Sequence, residues 1–429
     1  MSIRLELSDH HDITTATFRP GDIIRGTVIY DLPRQRTIRC ATIEFKGTVE
    51  TEYIPVQQNN IALVANPRRP SHEKTILVTE RVTLFEGPYS VPTQVFRWPF
   101  QFEIPGKCAP PEWVKVKLPL DDGGELREVD LPPSYAWNGQ EITHQAKAVI
   151  SYKLKVKVER DGLLNNDEKK QVITIRQQAQ RLTDLPLKPT GYDFPPVSWS
   201  SGKLRPAERR LSLKDRMKSS FSSDPALKSP TLSFQARVYM PNALHASQRF
   251  PISVSVSHQK TTNLDPDDPT IILQELKLTL RTHTWIAIST SGFLQRPVAP
   301  RGDEILAEHQ VHLAHQDPLP LGGALTEVAN GLCIGDWWNG DNPGGPPGDF
   351  LTWVVQLRHK MAVEVVLKHV ESDKNFRMLA LFPLKLLNPP RDSTEAGTSA
   401  GMAGFDYKDE EELPGYGDDS RPPEHTERL

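Results

Sequence analysis

The chain has little cysteine. Cys40, Cys108 and Cys333 are its three among 429 residues, and they lie far apart. That spacing excludes a disulfide framework and a Cys-x-x-Cys metal pair, and it suits a reducing compartment. There is no apolar run near the ~18 residues that a membrane-spanning helix needs. The opening Met1-Ser-Ile-Arg-Leu-Glu-Leu7 alternates polar and apolar residues, which reads as a strand rather than a signal peptide. Neither sign of charge dominates, with 51 basic and 54 acidic residues, so the whole chain has no electrostatic reason to seek nucleic acid. No Gly-x-Ser-x-Gly elbow, phosphate-cradling glycine loop or Cys/His pairing is found. The expectation is therefore no enzyme, no catalytic residue, no cofactor and no metal. His309-x-x-His312-x-x-His315 comes nearest to a ligand set. On a strand, however, His312 faces away from the other two.

Proline is plentiful, at 38 residues, roughly twice the usual ~5% share. That disfavours long helices and suits a loop-rich β protein. Strand patterns follow. Pro20-Gly21-Asp22 has the residues of a turn: a preset φ, a residue free to take positive φ, and a side chain that bonds its own backbone. After it, Ile24, Gly26, Val28 and Tyr30 share one face of a period-two segment, the signature of a strand. Ala41, Ile43 and Phe45 alternate with Thr42, Glu44 and Lys46. Trp98, Phe100, Phe102 and Ile104 line one face of another strand, whose Pro99 predicts an edge position or a bulge. The clearest strand runs from Ile150 to Val158. Ile150, Tyr152, Leu154, Val156 and Val158 face one way, and Lys153, Lys155 and Lys157 the other. The turn Asp161–Asp167 then reverses the chain, and Gln171–Arg176 returns beside it as a hairpin.

The alternation fades after residue 185. Residues 201–218 hold seven basic residues against two acidic ones, and 186–228 reads as a basic, Pro/Ser-rich interdomain linker, mostly disordered. Strand patterns resume at Thr231 and continue to Leu387, so 229–388 reads as a second all-β domain on the plan of the first, 1–185. From 389 to 429 the chain is rich in Gly, Ser, Thr, Pro and acid. Eleven acidic and four basic residues lie between Arg391 and Leu429, a composition that cannot bury enough apolar surface to fold alone.

Several segments come in a known order. They are Pro20-Gly21-Asp22 with Gly26, Trp98-Pro-Phe-Gln-Phe-Glu-Ile-Pro105, Leu131-Pro-Pro-Ser-Tyr135, and Ile150-Ser-Tyr-Lys-Leu-Lys-Val-Lys-Val-Glu-Arg160. Across about 160 residues this order resembles arrestin-like N-terminal domains, and it is similar to the fungal branch of the α-arrestins. The second half matches more loosely, through Phe234–Pro241 and the closing strands from Leu351. The resemblance implies an all-β chain of two immunoglobulin-like sandwiches side by side, ahead of a disordered acidic tail. It also implies an adaptor that links a membrane transporter or receptor to the WW domains of a HECT-type ubiquitin ligase for endocytosis. Such a protein would be cytoplasmic and recruited to the plasma membrane or endosomes.

The ligase expectation places its motif at Leu413, Pro414 and Tyr416, in the acidic tail. Prolines supply a preformed extended segment at low entropic cost, and aromatic grooves receive it. A weaker site is Pro132, Pro133 and Tyr135, which coincides with a structural segment of the resemblance. Arg209-Arg210-Leu211-Ser212 makes Ser212 a candidate for phosphoregulation by a basophilic kinase. Lys153, Lys155 and Lys157 form a basic face for cargo, and Arg209 and Arg210 for anionic lipid. Two alternatives stand beside the adaptor. One is a trafficking or signalling scaffold of the same fold without ligase recruitment. The other is a carbohydrate-binding or enzymatic β-sandwich, with Trp337-Trp338 as the sugar platform.

Overall fold

The computed structural model describes residues 2–8, 16–55, 71–109, 128–140, 144–161, 166–177, 189–205, 210–212, 214–215, 217, 228–259, 269–290, 294–298, 304–311, 313, 317–338 and 346–387. The first half holds β1 (Ser2–Leu7), β2 (Thr17–Phe18), β3 (Ile23–Leu32), β4 (Arg36–Pro55), β5 (Ser71–Val91), β6 (Gln94–Glu103), β7 (Lys107–Cys108), β8 (Val129–Asp130), β9 (Tyr135–Gln140), β10 (His144–Arg160) and β11 (Asn166–Ile175). A smaller sheet, β1-β3-β6, faces a larger one, β2-β11-β10-β4-β5, with β9 paired to β10. Between them lies a core of Ile24, Val28, Tyr30, Phe45, Phe102, Tyr152 and Leu154. The period-two faces read from sequence are the ones that meet there.

Two local features carry the entry into β3. Pro20 and Gly21 form the centre of a turn closed by Asp22 N–H to Arg19 O at 3.0 Å. Gly21 has φ +86, the value that the third position of a type II turn requires. Asp22 Oδ2 accepts from Arg19 N–H at 2.8 Å. At Gly26 a Cβ would lie 2.3 Å from the Glu6 carbonyl and 2.8 Å from the Phe100 ring. Only a residue without a side chain lets β1 and β6 close on β3 there. Pro99 sits in β6, at the edge of its sheet, where its missing N–H costs no ladder bond.

The second half holds β12 (Pro189–Asp193), β13 (Val197–Ser200), β14 (Thr231–Pro241), β15 (Ala243–His245), β16 (Arg249–His258), β17 (Ile271–Thr290), β18 (Leu294–Val298), β19 (Glu304–Val311), β20 (Thr326–Cys333), β21 (Phe350–Leu351), β22 (Val355–His369) and β23 (Lys374–Leu387). One sheet runs β12-β14-β16-β20, with β13 also on β14. The other runs β15-β23-β22-β17-β18, with β19 on β17 and β21 on β22. Phe234, Phe250, Leu278, Val363 and Phe382 belong to the core between them. The chain is thus an all-β protein of two sandwiches.

The stretch read as a linker starts inside the second sandwich. Pro189–Asp193 pairs with Arg237–Pro241, and Val197–Ser200 pairs with Thr231–Phe234. Both lie along the same edge of β14, one interrupted edge strand with Pro195-Pro196 at the break. Edges tolerate proline, which is why a Pro/Ser-rich composition conceals a strand here. The basic segment 201–218 is correspondingly an excursion between β13 and β14. Its base is pinned by Ser201 N–H to Pro230 O at 3.0 Å and by Arg205 Nη2 to Lys228 O at 2.8 Å.

The sandwiches share one continuous apolar contact. Ile286, Phe350, Trp353, Val354, Val355 and Leu357 of the second half pack into the first core. Gln177 Nε2 donates to the Asp349 carbonyl at 2.9 Å. Asp349 Oδ1 in turn lies 2.5 Å from Nδ1 of His359, whose side chain is fully buried.

Candidate functional site

The outer face of the large first-domain sheet carries the lysines. Strand β10 is central, with β4 on one side and β11 on the other, so Tyr152, Leu154, Val156 and Val158 are wholly buried and the alternate residues face outward. Register then decides what stands beside each lysine. Lys153 is opposite Lys46 on β4 and Val172 on β11. Lys155 is opposite Glu44 and Lys170, and Lys157 opposite Thr42 and Glu168. Some charges are compensated. Lys155 Nζ is 3.0 Å from Glu168 Oε1, Lys157 Nζ is 2.5 Å from Glu159 Oε1, and Lys74 pairs with Glu50.

Others are not. Among the described residues, Lys46, Lys153 and Lys170 make no ion pair. Lys46 and Lys153 are direct cross-strand neighbours, and so are Lys155 and Lys170. Like charges placed directly opposite are destabilising. Burial, and then the ammonium groups of Lys74, Lys170 and Lys46, hold the Lys153 amine below its ordinary pKa, with Glu50 opposing. Beside the lysines stand two exposed apolar side chains, Val172 at 53% and Ile76 at 43%. A cationic cluster edged with apolar groups is chemically suited to an acidic or phosphorylated peptide, whose charges meet the ammonium groups.

The other expected residues fall elsewhere. Pro132 and Pro133 are buried. The Pro132 carbonyl accepts from Tyr152 Oη at 2.6 Å. Ser134 exchanges two bonds with Ile175, its N–H to the carbonyl at 2.7 Å and its Oγ from the Ile175 N–H at 2.9 Å. Tyr135 packs edge-on against Phe350, ring centroids 5.0 Å apart, and burial pushes its pKa up to about 12. A WW domain needs both prolines and the tyrosine exposed, so this segment serves the core and the domain junction instead. Leu413, Pro414 and Tyr416 lie outside the described residues, as do Arg209, His312 and His315. His309 stacks on Trp337 at 4.6 Å, and Trp337 is buried against Phe250, so it offers no ring face to a sugar. Arg210 and Ser212 are exposed.

Sequence reading found Lys153, Lys155 and Lys157 but missed Lys46, Lys74 and Lys170. They lie on β4, β5 and β11, and only the sheet order β11-β10-β4-β5 brings them together.

The described residues form two β-sandwiches, the first with a lysine-bearing outer sheet. Residues 9–180 match the family model "Arrestin (or S-antigen), N-terminal domain". The first sandwich is therefore similar to an arrestin N-terminal domain. A search among curated proteins gave no match. No helix among the described residues is long and apolar enough to cross a membrane.

Proposed function

We propose that this protein is an α-arrestin-type adaptor that holds the cytoplasmic segment of a membrane transporter or receptor and presents it to a HECT-type ubiquitin ligase. The observation that carries the reading is the uncompensated cluster of Lys46, Lys153 and Lys170 on the outer sheet of an arrestin N-terminal domain. A fold does not keep like-charged cross-strand pairs for stability, and rule-breaking positions concentrate at functional surfaces. The cargo segment is acidic or phosphorylated and lies across β11, β10 and β4.

The ligase is held by Leu413-Pro414-Gly415-Tyr416. Burial of Pro132 and Pro133 leaves this tail segment as the working motif. The adaptor acts by raising the effective concentration of one partner at the other, in the cytoplasm and at plasma or endosomal membranes, with Arg209 and Arg210 adding contact to anionic lipid. A bridging assay tests both arms. A bead-bound acidic peptide carrying two phosphoserines captures the full-length chain, which then captures a WW-domain protein. Lys153→Glu with Lys46→Glu prevents the first capture, and Tyr416→Ala prevents only the second. WW capture that persists in Tyr416→Ala would leave a scaffold without a ligase motif in the tail. Equal capture of the lysine variant would remove the cargo surface.

A further inference from the structure

The edge of the second sandwich holds a feature that the adaptor reading does not use. Strand β23 pairs with β22 all the way from Lys374 to Leu384. On its other side it has a partner only at the end, where Lys385–Leu387 meets Ala243–His245 of β15. The Lys385 N–H donates to the Asn242 carbonyl at 2.8 Å, so it points to that other side. Residues two apart in a regular strand send their N–H and C=O the same way. The N–H groups of Asn375, Arg377, Leu379 and Leu381 therefore point to the open side too, and among the described residues no backbone group meets them. Pro383 shares their parity, and its missing N–H falls where no ladder bond is made.

Open edges are ordinarily blunted. The edge of the facing sheet is blunted, since β12 begins at Pro189 and the break before β13 is Pro195-Pro196. The β23 edge has no such device between Asn375 and Leu381. It shows Leu379, 56% exposed, and Leu381, 48% exposed, next to each other on the outer face. On the inner face the half-buried Tyr192 and Trp199 lie against Phe382 and Phe376, with ring centroids 4.4 and 5.7 Å apart. A strand added here covers apolar surface on both faces.

Charge selects the occupant. Arg377 is paired with Glu364, and Lys368 with Asp373 at 2.6 Å. Lys360, directly opposite Pro383, and Lys385 beyond it make no ion pair among the described residues. The outer face thus runs from two leucines to two uncompensated ammonium groups. A second copy of the chain would bring more cations to this edge, whereas an acidic peptide neutralises those already there.

We infer that the open edge of β23 takes up, as an added antiparallel strand, an extended segment of a partner protein with an acidic residue two positions before the first of two alternate aliphatic residues. The aliphatic residues lie opposite Leu381 and Leu379 and exchange backbone hydrogen bonds with them. The acidic side chain lies opposite Pro383, within reach of Lys360 and Lys385. In strand addition the main-chain bonds supply affinity and the alternate side chains specificity. The site belongs to the second sandwich and does not depend on the lysine face of the first.

The test is fluorescence anisotropy of the labelled peptide Ser-Glu-Thr-Val-Thr-Val-Thr-Ser, titrated with the full-length chain. The wild type binds it. N-methylation of both valines, whose N–H groups face β23, weakens binding about tenfold or more, as loss of two hydrogen bonds does. N-methylation of the threonine between them, whose N–H faces away, leaves binding as it was. Leu379→Lys with Leu381→Lys, both at exposed positions, removes binding and keeps the wild-type circular dichroism. Lys360→Glu weakens binding most at low salt. Equal loss from the two methylations would show that the peptide is not held as a strand. Binding that survives the leucine variant, or no binding by the wild type, would overturn the site. A concentration-dependent dimer that the leucine variant abolishes would give the edge to a second copy instead.

Discussion

The hydroxyl of Tyr135 lies 3.1 Å from Thr284 Oγ1 and joins the first sandwich to the second. Tyr135 follows the buried pair Pro132-Pro133, and its ring rests on Phe350 at the start of β21. Thr284 is itself buried, on β17. A motif that on paper suits a WW domain is thus part of the junction between the domains. Tyr135→Phe keeps the ring contact and loses one hydrogen bond, a cost of about 0.5–1.5 kcal/mol. Tyr135→Ala empties the junction and costs about 3–5 kcal/mol, the range for large aromatic truncations. Denaturant unfolding of both variants, with hydrogen exchange followed over residues 350–357, checks this. Equal stability of the two variants would contradict the packing role.

Lys153 stands opposite Lys46 with no ion pair on either among the described residues. Relief of that repulsion makes Lys153→Thr more stable than the wild type by about 0.2–1 kcal/mol, the size of a cross-strand pair term. The same variant binds acidic peptide more weakly. Stability and affinity moving in opposite directions is the mark of a surface kept for binding. A variant that is less stable as well as weaker in binding would assign Lys153 an ordinary structural role.

Gly26 is where a methyl group has no room. A Cβ would come 2.3 Å from backbone that cannot swing aside, the Glu6 carbonyl. Gly26→Ala therefore destabilises the first sandwich by about 1–3 kcal/mol, as overpacking does. Thermal unfolding of the variant measures it.

The β22–β23 turn contains a titratable histidine. Nδ1 of His369 accepts from the Ser372 N–H at 3.3 Å and lies 2.8 Å from Ser372 Oγ. Nε2 is 3.2 Å from Glu371 Oε2, and the ring of Trp199 packs edge-on above. Burial holds the His369 pKa below its ordinary value, with Glu371 opposing. The unfolded chain takes up its proton near ~6.5, whereas the folded chain does so only at lower pH. The contribution is therefore present in full above that value and is lost as pH falls below it. Urea unfolding at a series of pH values checks this: His369→Asn is less stable at neutral pH and loses less stability on acidification. A variant that keeps the wild-type pH slope would show that His369 is not its source.

Much of the first sandwich was legible because its strands obey one rule. The faces of β3, β6 and β10 follow from period two, and the turn at Gly21 follows from its residues. What could not be read was adjacency. The hairpin reading sets β11 beside β10 but begins it at Gln171, one residue past Lys170, and nothing local in Lys46 says that β4 flanks β10 on the other side, since that pairing joins distant segments. The edge strands β12 and β13 were hidden by Pro195-Pro196, which a sheet edge accepts and a composition argument takes for disorder. The pair of His359 and Asp349 had no sequence signal, because one member lies in a strand and the other in the loop before it.

The central claim is that the lysine face holds anionic cargo, and its salt dependence tests that most directly. Anisotropy of a labelled peptide with two phosphoserines, titrated with the full-length chain from 50 to 300 mM salt, reads it. The prediction is micromolar affinity that weakens steeply with salt, and a loss of about tenfold or more in Lys46→Glu with Lys153→Glu, equivalent to about 1.4 kcal/mol. Binding that ignores both the salt and the two lysines would contradict the account.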